Sequence, residues 1–153
     1  MKILAIDCGT KTGFAYYANG IVESGVQDFS LKRGESNGMR FLRFRSWLQD
    51  MLNMLGVDLV AYEMPHHRGG SATEVLIGMT TRIQEECDSR NINYTSVHSA
   101  TLKKYATGKG NASKEQMLVE ARRRFGDEIV DDNEADARFM LEWGKEHFNG
   151  GKT

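Results

Sequence analysis

Residues 3–6, with the sequence ILAI, form an unbroken apolar run that ends at Asp7. A strand without a polar face is buried on both sides, as at the centre of a sheet that helices cover on its two faces. A carboxylate at the end of such a strand is costly to bury unless it meets a cation. The chain is therefore predicted to fold around this strand with Asp7 in a functional position; the alternative is that Asp7 simply begins a turn.

The length of 153 residues and the hydrophobic content of 40% fit one compact domain with its own core. We expect this domain to span residues 1–148 and residues 149–153 to form a flexible tail. Cys8 and Cys87 lack the spacing of a zinc site or a disulfide framework, so we interpret them as reduced packing residues. The sequence shows neither a leader nor an apolar run that could span a bilayer, and we expect a cytoplasmic protein without a membrane partner.

Three antiparallel strands are predicted at the start of the fold. Residues 13–17 and 21–29 have strand character and flank Asn19 and Gly20, a pair that favours the type I′ turn of a hairpin. Together with residues 3–6 they form a three-stranded antiparallel unit, with Asp7 at the end of its first strand.

The next two elements bring a second carboxylate towards Asp7. Apolar residues recur at helical spacing over residues 39–55, and residues 57–62 then form a β-rich run that ends at Glu63. A strand, a helix and a second strand of these lengths form a crossover that returns the second strand parallel to the first. Because open α/β sheets place their sites at the carboxyl ends of parallel strands, we expect Asp7 and Glu63 to lie side by side.

The following segment is predicted to contain a loop, a helix and a strand. Residues 64–71 are expected to form a flexible loop above the site, in which His66 and His67 are polar surface rather than metal ligands. A helix then covers residues 72–83 and a strand covers residues 91–97.

Two predictions concern the basic part of the chain. Residues 98–111, rich in lysine and glycine, are predicted to form a mobile basic loop. Ser113 and Gln116 have the spacing of a capping box, so a helix is expected to begin there and to end at Gly126.

The last helix is predicted over residues 131–148. Its buried stripe comprises Asp136, Phe139, Met140 and Trp143. This stripe aims the Asp136 carboxylate at Asp7 and Glu63, and Asp132 lies on the same face one turn earlier. The alternative is that the acidic residues only favour the helix N-terminus, which explains Asp136 poorly.

The charge pattern supports a site for a polyanion and a metal. Residues 98–124 carry seven lysines and arginines against two acids, whereas residues 126–136 carry six acids and no base. Carboxylates from two strands and one helix form an oxygen-rich site suited to Mg²⁺ or Mn²⁺. Two such ions about 4 Å apart can activate water and stabilise the leaving oxygen in phosphodiester hydrolysis. The residues therefore predict metal-assisted phosphodiester chemistry.

Four segments of the chain resemble the RuvC-type Holliday-junction resolvases of the RNase H-like superfamily. They are DCGTKTGFA after the first strand, YEMP after the crossover, LKKYATGKGNASKEQM, and DDNEADA in the last helix. The resemblance implies an α/β fold with a mixed five-stranded sheet flanked by helices. It also implies a homodimer that resolves four-way DNA junctions by symmetrical, Mg²⁺-dependent nicking. The short chain is similar to phage-encoded members.

The resemblance also assigns roles to residues. Asp7, Glu63 and Asp136 match the metal-binding carboxylates, and Lys103 and Lys114 match basic positions near the scissile phosphate. We take Lys114 as a catalytic residue together with the carboxylates. The predicted DNA contacts are Arg68, Lys103, Lys104, Lys109 and Lys114.

Two positions depart from the family pattern. The usual fourth acidic position is Asn133 here, and we predict that Asp132 replaces it as a catalytic metal ligand. The resemblance also places His66 where an aromatic residue commonly opens the junction.

Three other functions stay open at this stage. A nuclease of the same fold could act on flaps, other branched DNA or RNA, since phosphate contacts do not specify the form of a nucleic acid. A non-catalytic nucleic-acid-binding protein would use the same carboxylates structurally. The DCGTKTG segment also resembles the phosphate loop of actin-like phosphotransferases, but those enzymes need a second domain for which 153 residues leave no room.

Overall fold

The computed structural model describes residues 1–66 and 69–148. His67, Arg68 and the predicted tail at residues 149–153 lie outside the described residues. In the described part, the elements in chain order are β1 (Ile3–Asp7), β2 (Lys11–Ala18), β3 (Ile21–Asp28), α1 (Asn37–Leu55), β4 (Leu59–Glu63), α2 (Gly70–Ser89), β5 (Asn93–Val97), α3 (Ser99–Thr107), α4 (Lys114–Phe125) and α5 (Asp132–His147).

The strands form one mixed sheet with the order β3-β2-β1-β4-β5. β1 pairs antiparallel with β2 and parallel with β4, and β5 extends the parallel side. The predicted architecture is confirmed, with three antiparallel strands followed by parallel ones and with helices on both faces. None of the helices in the described ranges is long and apolar enough to cross a membrane.

β1 lies at the centre because both of its faces are apolar. Leu4 and Ile6 pack into a core under α1 and α2, whereas Ile3 and Ala5 pack into a second core under α3, α4 and α5. All five residues of the strand, Asp7 included, are buried. A strand held in this way from both sides is a rigid support for the residue at its end.

The hairpin between β2 and β3 has the predicted turn. Asn19 and Gly20 both adopt positive φ, at 54° and 78°, as a type I′ turn requires. The register that follows pairs Lys11 with Asp28, so the end of β3 returns to the same edge of the sheet as Asp7.

The prediction for residues 98–111 is wrong in part, because residues 99–107 form the helix α3. Leu102 and Ala106, one turn apart, are buried in the core, and Gly108 ends the helix in the left-handed conformation with φ of 85°. Only Leu102 and Ala106 contribute buried apolar side chains to this short helix. With lysines between them, the sequence shows no clear helical period.

The buried face of α5 also differs from the predicted stripe. Phe139 and Met140 are fully buried, but Trp143 is only half-buried at the edge of the core. Glu134, an acidic residue in the first turn of the helix, is 4% exposed. Compared with the predicted stripe, the helix is therefore rotated about its axis so that one acidic residue of its first turn is buried.

The close contact between Gly13 on β2 and the start of α5 generates the first prediction. A Cβ at position 13 would overlap the Asn133 carbonyl group and lie 2.8 Å from the Glu134 nitrogen. Because the obstacle is backbone, Gly13→Ala is expected to destabilise the fold by about 1–3 kcal/mol, as overpacked sites do, in a thermal or urea unfolding experiment.

Gly9→Ala is the matched control, because its Cβ would lie 3.5 Å from the nearest atom, the Lys11 carbonyl oxygen. Equal stability of the two variants would show that α5 can move away from β2 at little cost.

Candidate active site

Three carboxylates converge at one edge of the sheet. Asp7 is the last residue of β1, Glu63 is the last residue of β4, and Asp136 lies in the second turn of α5. The register pairs Ile6 with Tyr62, so Asp7 and Glu63 follow at the next level of neighbouring parallel strands. One oxygen from each of the three residues lies within 4.8 Å of the others. The predicted convergence is therefore present in the structure.

Buried polar contacts fix the position of α5. The Asp131 carboxylate caps the helix by accepting from the Glu134 nitrogen at 3.0 Å. The Glu134 carboxylate accepts from the Val130 nitrogen at 2.8 Å and from the Ser24 hydroxyl on β3 at 2.6 Å. These bonds compensate the burial of Glu134 and tie the first turn of α5 to the sheet, which sets Asp136 opposite the strand ends.

The electrostatics of this group are unfavourable without a cation. Burial, followed by the charges of Asp136 and Glu63, raises the pKa of Asp7 well above its ordinary value. Burial and the charge of Glu63 also raise the pKa of Asp136 to about 8, although Lys103 and Lys114 lower it in part. In addition, Oδ1 of Asp136 is buried and has no hydrogen-bond partner in the described structure.

These features fit a divalent cation. Carboxylate oxygens are the ligands that Mg²⁺ and Mn²⁺ prefer, and a cation among the three side chains would relieve their repulsion and give the Asp136 oxygen a partner. Asp7, Glu63 and Asp136 are thus the residues that would hold it.

The carboxylates lie in a cleft of about 450 Å³ that two lysines also line. Lys103 projects from the second turn of α3, and Lys114 is the first residue of α4. The predicted capping box holds α4 in place, since the Ser113 nitrogen donates to the Gln116 side chain at 2.8 Å and the Ser113 hydroxyl accepts from the Gln116 nitrogen. The cleft therefore combines acidic and basic groups, as a site for a metal and a phosphate requires.

Asp132 and Asn133 line the same cleft one turn before Asp136. The charge of Asp132 contributes to the raised pKa of both Asp7 and Asp136. Its oxygens nevertheless do not belong to the set of three that lie within 4.8 Å. A direct role of Asp132 as a ligand thus stays a prediction.

The other predicted DNA contacts are placed differently. Lys104 and Lys109 are exposed, and Lys109 lines a separate cleft between α3 and α4. His66 is exposed at the mouth of the carboxylate cleft. Arg68 lies outside the described residues.

The cleft is also lined by Cys8 and by three hydroxyl side chains that the sequence did not predict as site residues, Thr73, Thr80 and Ser99. Cys8 was interpreted as a packing residue; burial and the charges of Asp7 and Glu63 raise the pKa of its thiol. The position of Ser99 two residues after β5 was an available signal, because sites gather beyond the carboxyl ends of parallel strands.

Searches of the sequence against protein-family models and against curated proteins find no match. Solved structures, in contrast, give clear matches. RuvC of Thermus thermophilus superposes with a TM-score of 0.70 at 17% identity, covering 92% of this chain and 91% of its own. The same protein in complex with a Holliday junction substrate reaches 0.74 at 17% identity, with coverages of 92% and 90%.

This chain has the RuvC fold. The fowlpox virus resolvase, solved with a substrate Holliday junction DNA, also matches it, with a TM-score of 0.61 at 14% identity over 97% of this chain and 99% of its own. At these identities the likeness establishes the RNase H-like fold of the RuvC type, and it agrees with the sheet order and helix placement described above.

The carboxylate geometry predicts which substitutions weaken metal binding. Asp7→Asn, Glu63→Gln and Asp136→Asn are each expected to weaken Mn²⁺ binding by more than about tenfold, since even indirect partners of metal ligands cost about 10–100-fold. If Asp132 serves a second ion, Asp132→Asn is expected to lower the number of bound ions by one. Electron paramagnetic resonance and calorimetric titration measure both quantities without any substrate.

Asn133→Ala is the matched comparison for Asp132. If Asp132→Asn keeps two ions and Asn133→Ala loses one, the amide rather than the carboxylate serves the second ion.

The raised pKa of Asp136 predicts an unusual pH dependence of stability. In a metal-free protein the folded state keeps a proton up to about pH 8, whereas the unfolded state releases it near its ordinary value of about 3.9. The free energy of unfolding therefore falls as pH rises between these two values. In EDTA, Asp136→Asn is expected to melt at a higher temperature than the wild type at about pH 8, with a smaller difference at about pH 5.

Asp28→Asn is the control, because hydrogen bonds to Ser30 lower the pKa of Asp28 and move its effect below about pH 4. Parallel pH profiles for the wild type and Asp136→Asn would contradict the repulsion described here.

Proposed function

We propose that this protein is a divalent-metal-dependent endonuclease that resolves four-way DNA junctions by symmetrical phosphodiester hydrolysis. The observation that carries the proposal is the group of Asp7, Glu63 and Asp136 within 4.8 Å in a cleft that Lys103 and Lys114 also line. Metal ligands and phosphate-binding cations in one place are the two requirements of this reaction.

The cofactor that fits the cleft is Mg²⁺ or Mn²⁺, with two ions per site. Such ions supply an activated water and stabilise the leaving oxygen in phosphoryl transfer. The chain itself holds the ions through Asp7, Glu63 and Asp136, with Asp132 as the expected fourth ligand. Because cation binding requires ionised carboxylates, Asp136 releases its proton as the site fills.

The lysines act on the nucleic acid. Lys103 and Lys114 line the cleft beside the carboxylates, where an ammonium group attracts a phosphate and offsets the charge that develops during cleavage. Lys104 and Lys109 are exposed on α3 and beyond it, and we expect them to contact the nucleic-acid backbone outside the carboxylate cleft. Phosphate contacts of this kind position the nucleic acid without reading its sequence.

The choice of branched DNA rests on the structural neighbours. Both RuvC of Thermus thermophilus and the fowlpox virus resolvase were solved with Holliday junction DNA, and each covers more than nine-tenths of this chain. Other branched DNA, flaps and RNA are the competing substrates. The protein would act in the cytoplasm of a cell or of a phage host, where the DNA is accessible.

A homodimer follows from the symmetry of the proposed reaction. One chain supplies one site, formed by Asp7, Glu63 and Asp136. Two symmetrical nicks in a four-way junction need two such sites in related orientations. A two-fold dimer is the simplest assembly that provides them.

The test is cleavage of a labelled four-way junction beside a linear duplex, a flap and an RNA–DNA hybrid, with Mg²⁺ or EDTA. We expect paired symmetrical nicks in the junction that need the metal, because the carboxylates hold it. Asp7→Asn is expected to lose cleavage by more than about 10³-fold, within the range of effects of groups at the reacting centre. Simultaneous nicks in both strands during one encounter are the readout for a dimer.

Asp50→Asn on the exposed side of α1 is the control for a change of net charge. If flaps or hybrids are cleaved as well as the junction, the metal site stands but the proposed preference for four-way junctions is wrong. Metal-independent binding without any cleavage would contradict a nuclease.

A further inference from the structure

The helix α3 begins at the carboxylate cleft without a side-chain cap. His98 is its N-cap residue and makes no capping hydrogen bond through its side chain. The first backbone N–H groups of a helix have no partner within the helix, and they lie at the positive end of its dipole. The start of α3 is thus able to donate to an acceptor in the cleft.

Ser99, the first residue of α3, is the second and independent feature. It lines the cleft and is only 8% exposed. Its hydroxyl makes no hydrogen bond within residues 1–66 and 69–148, whereas the Thr80 and Thr73 hydroxyls of the same cleft donate to backbone carbonyl groups. The side chain lines the cleft, so this unpaired hydroxyl is available to an acceptor that binds there.

The position of Ser99 relative to the carboxylates is fixed by the sheet. Glu63 pairs with Val97 in the register of β4 and β5, and the Met64 nitrogen donates to the Val97 carbonyl at 2.8 Å. Ser99 follows two residues later, beyond the end of the same strand. It is therefore held by backbone bonds to the segment that also carries Glu63.

The surroundings of Ser99 define the chemistry of the ligand. Lys103, one turn further along α3, lines the same cleft, and its charge lowers the pKa of Asp136. The cleft therefore combines donors and a cation of α3 with the carboxylates. The donors and the cation suit a phosphate, whose oxygens accept hydrogen bonds and attract positive charge.

We propose that the Ser99 hydroxyl and the first-turn amides of α3 bind a phosphate of the nucleic-acid strand in the cleft, the scissile phosphate or one of its direct neighbours. This inference rests on the proposed nuclease function and adds a substrate-binding residue to it. Ser99 supplies a neutral donor, so it fixes the orientation of the phosphate without competing with the metal for the carboxylates.

The experiment compares Ser99→Ala, Ser99→Thr and Thr101→Ala. Thr101 is the matched control because it is an exposed hydroxyl residue in the first turn of the same helix. Binding of a labelled four-way junction is measured in Ca²⁺ and cleavage in Mg²⁺. We expect Ser99→Ala to lose roughly tenfold in binding, as for a hydrogen bond to a charged group, and Ser99→Thr to keep most of it.

Thermal melting separates this role from a structural one. Ser99→Ala removes a hydroxyl that makes no hydrogen bond within the described residues, so its melting temperature is expected to equal that of the wild type. If Ser99 only supported the fold, Ser99→Ala would melt at a lower temperature. Its loss of junction binding would then be the same for every phosphate modification of the junction.

Methylphosphonates locate the contact. Each is placed singly at the scissile phosphate or at a flanking phosphate of the junction, and the ratio of wild-type to Ser99→Ala affinity is measured. At one position the ratio is expected to fall to about one, as in a double-mutant cycle between contacting groups. A ratio that no substitution changes, or unchanged binding by Ser99→Ala, overturns the inference.

The proposed nuclease function and the role of Ser99 can be disproved separately. If the wild type binds none of the nucleic acids offered, the proposed function is wrong. If the wild type binds and cleaves while Ser99→Ala equals Thr101→Ala, the nuclease stands and the role of Ser99 is wrong.

Discussion

The parallel pairing of β1 with β4 is the constraint on which the rest of the site depends. It sets Asp7 and Glu63 at the same level of neighbouring strands, at the edge of a sheet that is covered on both faces. Two carboxylates held there repel each other, and burial strengthens the effect by removing water. Lys103 and Lys114 compensate this charge in part, and a divalent cation would compensate it more completely. The same repulsion that lowers the stability of the fold would therefore favour the binding of a cation.

The third carboxylate depends on contacts that lie away from the cleft. Asp136 is placed by the bonds of Glu134 to Ser24 and Val130 and by the absence of a side chain at Gly13. A helix across a sheet has freedom to slide or rotate unless polar or steric contacts fix it. In this protein both kinds of contact act on the first turn of α5, so the distance from Asp136 to the strand ends is set by residues that touch neither metal nor substrate.

The sequence predicted the features that have a local cause. The apolar run of β1, the Asn19-Gly20 turn and the capping box at Ser113 each follow from a short-range rule, and all three are present. Features that depend on packing were missed. α3 has too few apolar residues for a visible period, and Glu134 is a charge whose burial depends on Ser24 110 residues away. Ser99 is indicated only by its position shortly after β5. The separation of Asp132 from the group of three is likewise a matter of helix rotation that spacing alone does not determine.

The three converging carboxylates come from positions 7, 63 and 136, and this spread has a consequence for how the protein matures. No part of the chain that emerges early during synthesis contains the whole site, because α5 is the last element in the described range. Contacts between such distant positions form late and slowly in folding. A growing chain thus cannot bring the three carboxylates together before α5 docks on β1 and β2. The docking of α5 therefore completes the fold of the described residues and the carboxylate group in one step.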